Sequence, residues 1–486
     1  MVYDTISLLL STGSGGDMVK ADLFTAKAMP DARETGEGSA ADSPGVWGAA
    51  RSQGTVGNRT GLPMKKLKIV WICHFSNAEV RKRLPLAREG RAVADFAPWI
   101  SNMIQEFKQF ENIEIHIISP HRGLKSINCS FDCEGLHYHF FKADIPFMNR
   151  RWPHFFRLDA WTGFILNRLL VRYFINQIKP DLINLWGAEN SYYSSTILGI
   201  KNIPILISIQ GIYSNPNRFK LEREDKLRSK FERRVHSENK YFGVSAPFMP
   251  ELIKRDSPDP ILFWTSSVKR IQIPKNCSKE KCYDFVFFAR LTPVKGPKDA
   301  LEALALVKNK KPDVTMRMMG PAGSIKILDE LRAQAKALGI EKNVKISGGF
   351  ALQEDMLKEA ARAKFYLLPT VIDTIPGTLF EAIYLDLPVV SYKTGNIPLL
   401  NTGETRVLLC ERGDIASLAN NMIRLLDDPQ LSLDLSQKAK EFVEKWFDNR
   451  NIALNFIDQY KAVLEHYHHN EPVPASLLYE NFMKTL

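Results

Sequence analysis

At 486 residues the chain is too long for one small domain and fits two large ones. Apolar residues at 45% and charged residues at 24% lie near the averages of soluble globular proteins, which excludes wholesale disorder. Sixty-five Lys and Arg against 54 Asp and Glu leave a net charge of +11, an excess that favours phosphates or an anionic membrane surface as partners and is too diffuse to signify nucleic acid.

Residues 1–63 are rich in Gly, Ala, Ser, Thr and Asp without a lasting apolar period, and are expected to be a disordered extension. The character changes at Met64, where Met-Lys-Lys-Leu-Lys-Ile-Val-Trp-Ile-Cys opens directly into a buried strand, so Met64 is expected to be the true start, the alternative being that 1–63 is a functional tail or targeting segment. From there short β-branched runs alternate with segments of helical period, the pattern of parallel sheets covered by helices. In a first domain, 64–265, strands are expected at 67–73, 113–119, 136–142, 181–186, 204–210 and 241–244. Between them Phe96, Trp99, Ile100, Met103, Ile104, Phe107 and Phe110 recur at intervals of three and four, one buried helix face. The Arg150–Arg172 stretch interleaves cations with Trp152, Phe155, Phe156, Trp161 and Phe164 along an expected helix, as interfacial helices do, or packs as core with a basic rim. The helix 220–234 is broken by Glu222, Glu224, Asp225 and Glu232 and is expected to be a solvated face.

Prolines and lysines without a period mark the interdomain connection within 256–281, with the linker at 266–280. A second series, 281–450, places strands at 284–291, 314–320, 344–347, 364–369, 388–392 and 406–410, with helices such as 298–309 and 325–338 between them. A helix and tail at 451–486 complete the chain. The six cysteines form no Cys-x-x-Cys pair, so neither a disulfide framework nor a zinc site follows from their spacing, and a reducing cytoplasm is expected. No apolar run reaches the roughly 20 residues of a spanning helix.

In open parallel sheets ligands bind outside the carboxyl ends of the strands, where helix N-termini attract anions. After the strand ending at Ala289 come Arg290-Leu-Thr-Pro-Val-Lys295-Gly296, two cations and a turn glycine that suit a diphosphate; alone, the fragment is an ordinary charged loop. After the strand ending at Pro369, Asp373-Thr-Ile-Pro376-Gly377-Thr378-Leu379 leads into a helix whose first amides, at Gly377, Thr378 and Leu379, are placed to hold phosphate oxygens. Glu381 follows one turn inside, and a carboxylate beside a phosphate site is suited to ribose or sugar hydroxyls.

These residues resemble the retaining glycosyltransferases of the GT-B fold, family 4 (glycosyl transferases group 1), of the bacterial surface-polysaccharide type. The resemblance covers most of residues 65–467 and is most specific over 285–426. Arg290 and Lys295 match the family's Arg-Leu…Lys-Gly motif, Gly320-Pro-Ala-Gly323 its glycine turn, and Val344–Phe350 the strand and loop beside the nucleotide base. Asp373, seven residues, Glu381 matches its Glu, seven residues, Glu pattern, with Asp one methylene short at the first position.

What the resemblance implies is an α/β protein of two Rossmann-like domains around a cleft, transferring a sugar from a nucleotide-diphosphate donor to a glycan or lipid-linked acceptor. It implies no metal and no cofactor. Arg290 and Lys295 would neutralise the diphosphate, Glu381 would bind the ribose and Asp373 would touch the transferred sugar. Donor contacts would also come from Gly320, Gly323, Phe350, Pro376, Gly377, Thr378 and Leu379. On the acceptor side stand Asn77 and Arg81 in the basic loop reaching Arg91, Glu189 after a strand, and Gln210 where the family often has His; a neutral amide binds a hydroxyl but is no general base. The expected location is the cytoplasm, at the inner face of the membrane, without nucleic acid. The alternatives are a sugar-nucleotide epimerase of the same fold, or a catalytically silent sugar-nucleotide or nucleic-acid binder.

Overall fold

A computed structural model describes residues 66–86, 97–143, 145, 158–215, 223–268, 271–278, 280–373 and 375–485. The extension 1–63 and its start at Met64, the basic residues Arg88 and Arg91, and the Arg150–Arg157 portion of the aromatic stretch lie outside them.

Eight strands form the first sheet: β1 (Leu67–Ile72), β2 (Ile113–His121), β3 (Asn128–Cys133), β4 (Leu136–Lys142), β5 (Leu182–Trp186), β6 (Ile205–Ser208), β7 (Tyr241–Val244) and β8 (Ile261–Trp264). Their order is β3-β4-β2-β1-β5-β6-β7-β8, parallel except for the β3/β4 hairpin. Its turn, Glu134-Gly135, has positive φ at both residues, as tight hairpins require. The central strands β5 and β6 are buried throughout and β1 over its last four residues, as helices on both faces demand.

The second sheet, β9 (Tyr283–Phe288), β10 (Met316–Met319), β11 (Val344–Ser347), β12 (Ala363–Leu368), β13 (Val389–Tyr392) and β14 (Leu408–Cys410), is wholly parallel in the order β11-β10-β9-β12-β13-β14. Its core is continuous, from Phe285 and Phe287 through Leu304, Tyr366 and Leu418 to Phe442. Both folds are Rossmann-like, and each has a point where strand order reverses, β1/β5 in one and β9/β12 in the other.

Three features go beyond or differ from the sequence expectations. The β3/β4 hairpin adds an antiparallel edge, and Ile261–Trp264, expected within the connection, forms β8. The chain also crosses back after the second sheet. Helix Asn449–His469 lays Ile452, Phe456, Ile457 and Tyr460 into the core of the first sheet, where the Tyr460 hydroxyl accepts from Trp71 Nε1 at 3.2 Å and Asn184 Nδ2 at 2.7 Å. Phe482 of the last helix, Tyr479–Thr485, then stacks on Trp264 of β8, ring centroids 3.8 Å apart. The C-terminal segment thus fastens the first sheet instead of trailing from the second.

No helix among the described residues is long and apolar enough to cross a membrane.

Candidate active site

Close backbone approach builds the site at the carboxyl ends of β9, β10 and β12. Gly296, at φ +73°, brings the turn after β9 against the end of β12, so near that a Cβ there would lie 2.0 Å from the Pro369 carbonyl oxygen. At Gly320 a Cβ would sit 1.7 Å from the Ala289 oxygen. Only glycine permits either contact. The two loops are then tied by hydrogen bonds from Val371 N to Val294 O at 2.8 Å and from Thr370 Oγ1 to the same oxygen at 3.1 Å. Leu291 N reaches Pro321 O at 2.9 Å.

Across the β9/β12 reversal point, Lys295 Nζ forms an ion pair with Asp373 Oδ2, the two side chains 13% and 17% exposed. The sequence reading gave them different partners, a diphosphate and a sugar; the fold sets them against each other. Thr370 Oγ1 lies 3.5 Å from the same carboxylate oxygen. Arg290 is exposed at the end of β9, on the same strand edge.

Behind them, helix Gly377–Tyr384 begins after Pro376, whose extended backbone serves as its N-cap, with no side-chain cap. Gly377 is exposed with open space beside it. Leu379, expected to present its amide to a ligand, instead donates to Pro376 O at 3.2 Å, so Gly377 and Thr378 are the amides left for an anion. Tyr366 OH donates to Thr378 Oγ1 at 2.7 Å, and burial pushes its phenol well above the usual range, so it stays a neutral donor. Glu381 is buried, and Gln353 Nε2, from the start of helix Gln353–Ala360, donates to its Oε1. Gln353 was not singled out in the sequence. It lies three residues beyond Phe350, and its position at a helix start was the available signal. Gly323 and Phe350 are exposed on the neighbouring loops after β10 and β11.

The first sheet gathers its candidates the same way. His74, after β1, bonds through Nδ1 to the Tyr192 hydroxyl beyond β5, straddling that sheet's reversal point. Burial pushes the imidazole down to about 3, so it is neutral at physiological pH. Asn77 caps helix Ala78–Arg83 by accepting from Val80 N at 2.9 Å, and Arg81 Nη1 donates to Ser76 Oγ at 3.1 Å, so both side chains serve the loop itself. Glu189, after β5, is half-buried and accepts from Asn190 Nδ2 at 3.2 Å, while Gln210 is half-buried after β6.

The basic helix expected to be a solvated face is Arg223–Ser237, and it is partly internal. Glu232 is fully buried and accepts from the Tyr213 and Ser214 amides at 2.9 and 2.8 Å; Arg228 lies 3.8 Å over the Tyr213 ring and donates to Glu189 O. It therefore holds the loops after β5 and β6.

The aromatic stretch is also rearranged. It is no single helix: Leu158–Trp161 and Ile165–Ile178 are parted by a turn with positive φ at Gly163 and Phe164, and Phe164 is buried. Arg168 and Arg172 fold inward, each donating to Leu198 O at 3.0 Å. Trp161, 82% exposed, then Ile165, Leu169 and Tyr173 face outward at every fourth residue.

Residues 268–442 match the family model Glycosyl transferases group 1. Over 175 residues the chain is 30% identical to the amylovoran biosynthesis glycosyltransferase AmsK of Erwinia amylovora, covering 34% of this chain and 41% of that protein. It is 27% identical over 159 residues to the D-inositol 3-phosphate glycosyltransferase of Corynebacterium glutamicum (strain R), 32% of this chain and 38% of that one. The chain thus spans less than half the length of either relative. Sucrose-phosphate synthase from Thermosynechococcus elongatus superimposes with a TM-score of 0.59 at 14% identity, covering 82% of this chain and 98% of that one. Anabaena HepE in complex with UDP and glucose gives 0.54 at 17% identity, over 81% and 99%. The fold is GT-B, two parallel-sheet α/β domains.

Proposed function

We propose that this chain, which carries a Glycosyl transferases group 1 domain at residues 268–442, is a glycosyltransferase moving a sugar from a nucleotide-diphosphate donor to a glycan or lipid-linked acceptor, with retention at the anomeric carbon. The observation that carries the reading is the set of groups at the β9/β12 reversal point: the Lys295–Asp373 pair, the uncapped helix start at Gly377, and Glu381 fixed by Gln353.

A nucleoside diphosphate leaves well once its growing charge is screened, and preorganised cations and amides supply that screening. Lys295, Arg290 and the Gly377 and Thr378 amides take this role, which asks for no metal ion. Glu381 receives the ribose hydroxyls, its second acceptor oxygen oriented because Gln353 holds the first. Asp373, a methylene shorter than the family's glutamate and drawn to Lys295, meets the transferred sugar beside the breaking bond. The departing phosphate then accepts the acceptor's proton on the face it leaves. On the opposite side, Glu189 and Gln210 hold acceptor hydroxyls.

A panel of nucleotide sugars tests the reading by thermal stabilisation, since a ligand at 100 times its Kd adds about 2.7 kcal/mol. The stabilising donor is then assayed for transfer and for product anomer. A panel in which no sugar nucleotide raises Tm or is turned over would refute it, and an inverted product would refute retention alone.

The acceptor side is further proposed to lie against an anionic membrane, with Trp161, Ile165, Leu169 and Tyr173 in the interface and the exposed Lys82 and Arg83 of the basic loop supplying charge. Each cation near an anionic leaflet contributes about 1 kcal/mol. Flotation with anionic vesicles should therefore fall when Leu169 becomes Glu and when salt is raised; equal recovery on neutral vesicles would count against it.

A further inference from the structure

At the opposite, amino-terminal ends of β2 and β4 lies a cluster that glycosyl transfer does not use. Parallel register sets His116 directly beside His137, their rings stacked with centroids 4.4 Å apart. Glu114, two residues before His116 and hence on the same sheet face, places Oε1 2.8 Å from His116 Nε2. One ligand atom from each of Glu114, His116 and His137 lies within 4.8 Å of the others.

The remaining nitrogens are already held. Asp132 Oδ1 of β3 lies 2.7 Å from His137 Nδ1, and His139 Nε2 lies 3.1 Å from His116 Nδ1. His139 Nδ1 in turn meets Ser130 Oγ at 2.8 Å. A carboxylate or second ring on the far nitrogen is the arrangement that orients histidine ligands toward a metal ion and fixes their tautomer. It leaves Nε2 of both His116 and His137 for the ion. With the His116 proton on Nδ1, that ring donates to His139, whose own Nδ1 proton goes to Ser130; both rings stay neutral and no proton is lost.

We propose that Glu114, His116 and His137 form a binding site for a divalent borderline metal ion, zinc first, with Asp132 and His139 positioning the two imidazoles. Two imidazoles and a carboxylate suit Zn²⁺ and disfavour Ca²⁺ or Mg²⁺, which want oxygen alone. Zn–ligand bonds of 2.0–2.2 Å set ligand atoms about 3.3 Å apart in a tetrahedron, so the cluster closes by only about 1.5 Å at its widest pair. His137 is partly exposed, which leaves the fourth position to water. Lys68 Nζ, 3.5 Å from Glu114 Oε1, is the cation an ion would displace, and its flexible stem lets it swing to solvent. An ion here joins β2 to β4 and, through Asp132, to β3, stapling the antiparallel edge. It stands apart from the carboxyl-end site and takes no part in transfer.

The test uses the full chain without an affinity tag, freed of metal with a chelator, then titrated with Zn²⁺ against a chromogenic competitor, with Co²⁺ spectra as a second readout. One equivalent is expected, with a visible Co²⁺ absorption band and a higher Tm. His137→Ala and Glu114→Gln should abolish both, and Asp132→Asn should weaken binding 10- to 100-fold. Because His116 is buried, these more exposed positions carry the test, with circular dichroism to show that each variant folds. The paired change His468→Ala and His469→Ala, in the exposed histidines ending helix Asn449–His469, should leave binding intact. No zinc retained, zinc lost with the helix-end histidines, or affinity unchanged in His137→Ala and Glu114→Gln would each overturn the proposal.

Discussion

Replacing Lys295 with Ala removes the cation that the fold holds against Asp373. With side chains 13% and 17% exposed, the pair is mostly withdrawn from water, so it does not fall in the class of surface ion pairs worth at most about 1 kcal/mol. A charge-assisted hydrogen bond in such a setting contributes about 1.5–3 kcal/mol. If the same ammonium screens the leaving diphosphate, its loss resembles the removal of a transition-state donor, about 2.7–4 kcal/mol, or 10²–10³ in rate. We therefore expect kcat/KM for transfer to fall by about that factor. Tm should fall much less, because the second core lies behind the loop and does not include Lys295. Asp373→Asn separates the two roles of the pair. In a double-mutant cycle with Lys295→Ala, a shared function gives a coupling of about 0.5–3 kcal/mol, whereas independent diphosphate and sugar contacts add. A Lys295→Ala enzyme within about threefold of the parent in kcat/KM would refute the placement of Lys295 at the reacting centre.

The other expectations follow from the same geometry. Glu381→Ala should weaken donor binding and transfer by about 1.5–3 kcal/mol, and Gln353→Ala by less, since it removes the group that orients the carboxylate and not the carboxylate itself; a nucleoside-diphosphate titration by calorimetry checks both, and a Gln353→Ala loss larger than that of Glu381→Ala would contradict the order. Gly296→Ala forces a side chain to φ +73° and onto the Pro369 carbonyl, so beyond the roughly 1 kcal/mol of a strained backbone the β9 and β12 loops must part; Tm should drop by several degrees and Lys295 should lose Asp373. Burial lowers His74 to about 3 against 6.5 unfolded, so the unfolded chain binds the extra proton between those values. The resulting stability is complete above about pH 6.5 and is lost as pH falls toward 3, with a slope of up to about 1.4 kcal/mol per pH unit. Tm should therefore decline from pH 7 to 5, and more shallowly in His74→Asn; identical curves would contradict it.

The second sheet was readable from its strands because they are short, mostly apolar or alternating runs between turn signals. The expected strand 344–347 coincides with β11, and the expected helix 298–309 is observed as Pro297–Lys308. The first sheet hid two strands for different reasons. Asn-Cys-Ser-Phe-Asp-Cys of β3 faces solvent at the sheet edge, so nothing forces a continuous apolar run. The four residues of β8 follow Pro258 and Pro260, whose punctuation reads as a connection. The return of helix Asn449–His469 to the first sheet has no local signal, since an amphipathic face does not name the surface it covers. In the fold, Tyr460, placing a phenol between Trp71 and Asn184, marks which surface that is.

At the site the sequence could rank residues by strand end but not pair them. Lys295 and Asp373 are separated by 78 residues and by three intervening strands in the chain, and the adjacency of β9 and β12 across the reversal point joins them. The same adjacency places the shorter acid at 373: with Gly296 drawing the β9 loop onto Pro369, Lys295 reaches the Asp carboxylate, and a longer side chain is not needed to meet it. Glu381 and Gln353 follow a similar logic from neighbouring helix starts, one after β12 and one after β11. The arginines of the aromatic stretch show the converse. Their spacing matched an interfacial helix, yet Arg168 and Arg172 are spent on one carbonyl at Leu198, and the outward row is apolar, at four-residue intervals that the cations had obscured. Charge in a sequence counts what a surface holds, whereas partners in the fold decide what it has left to offer.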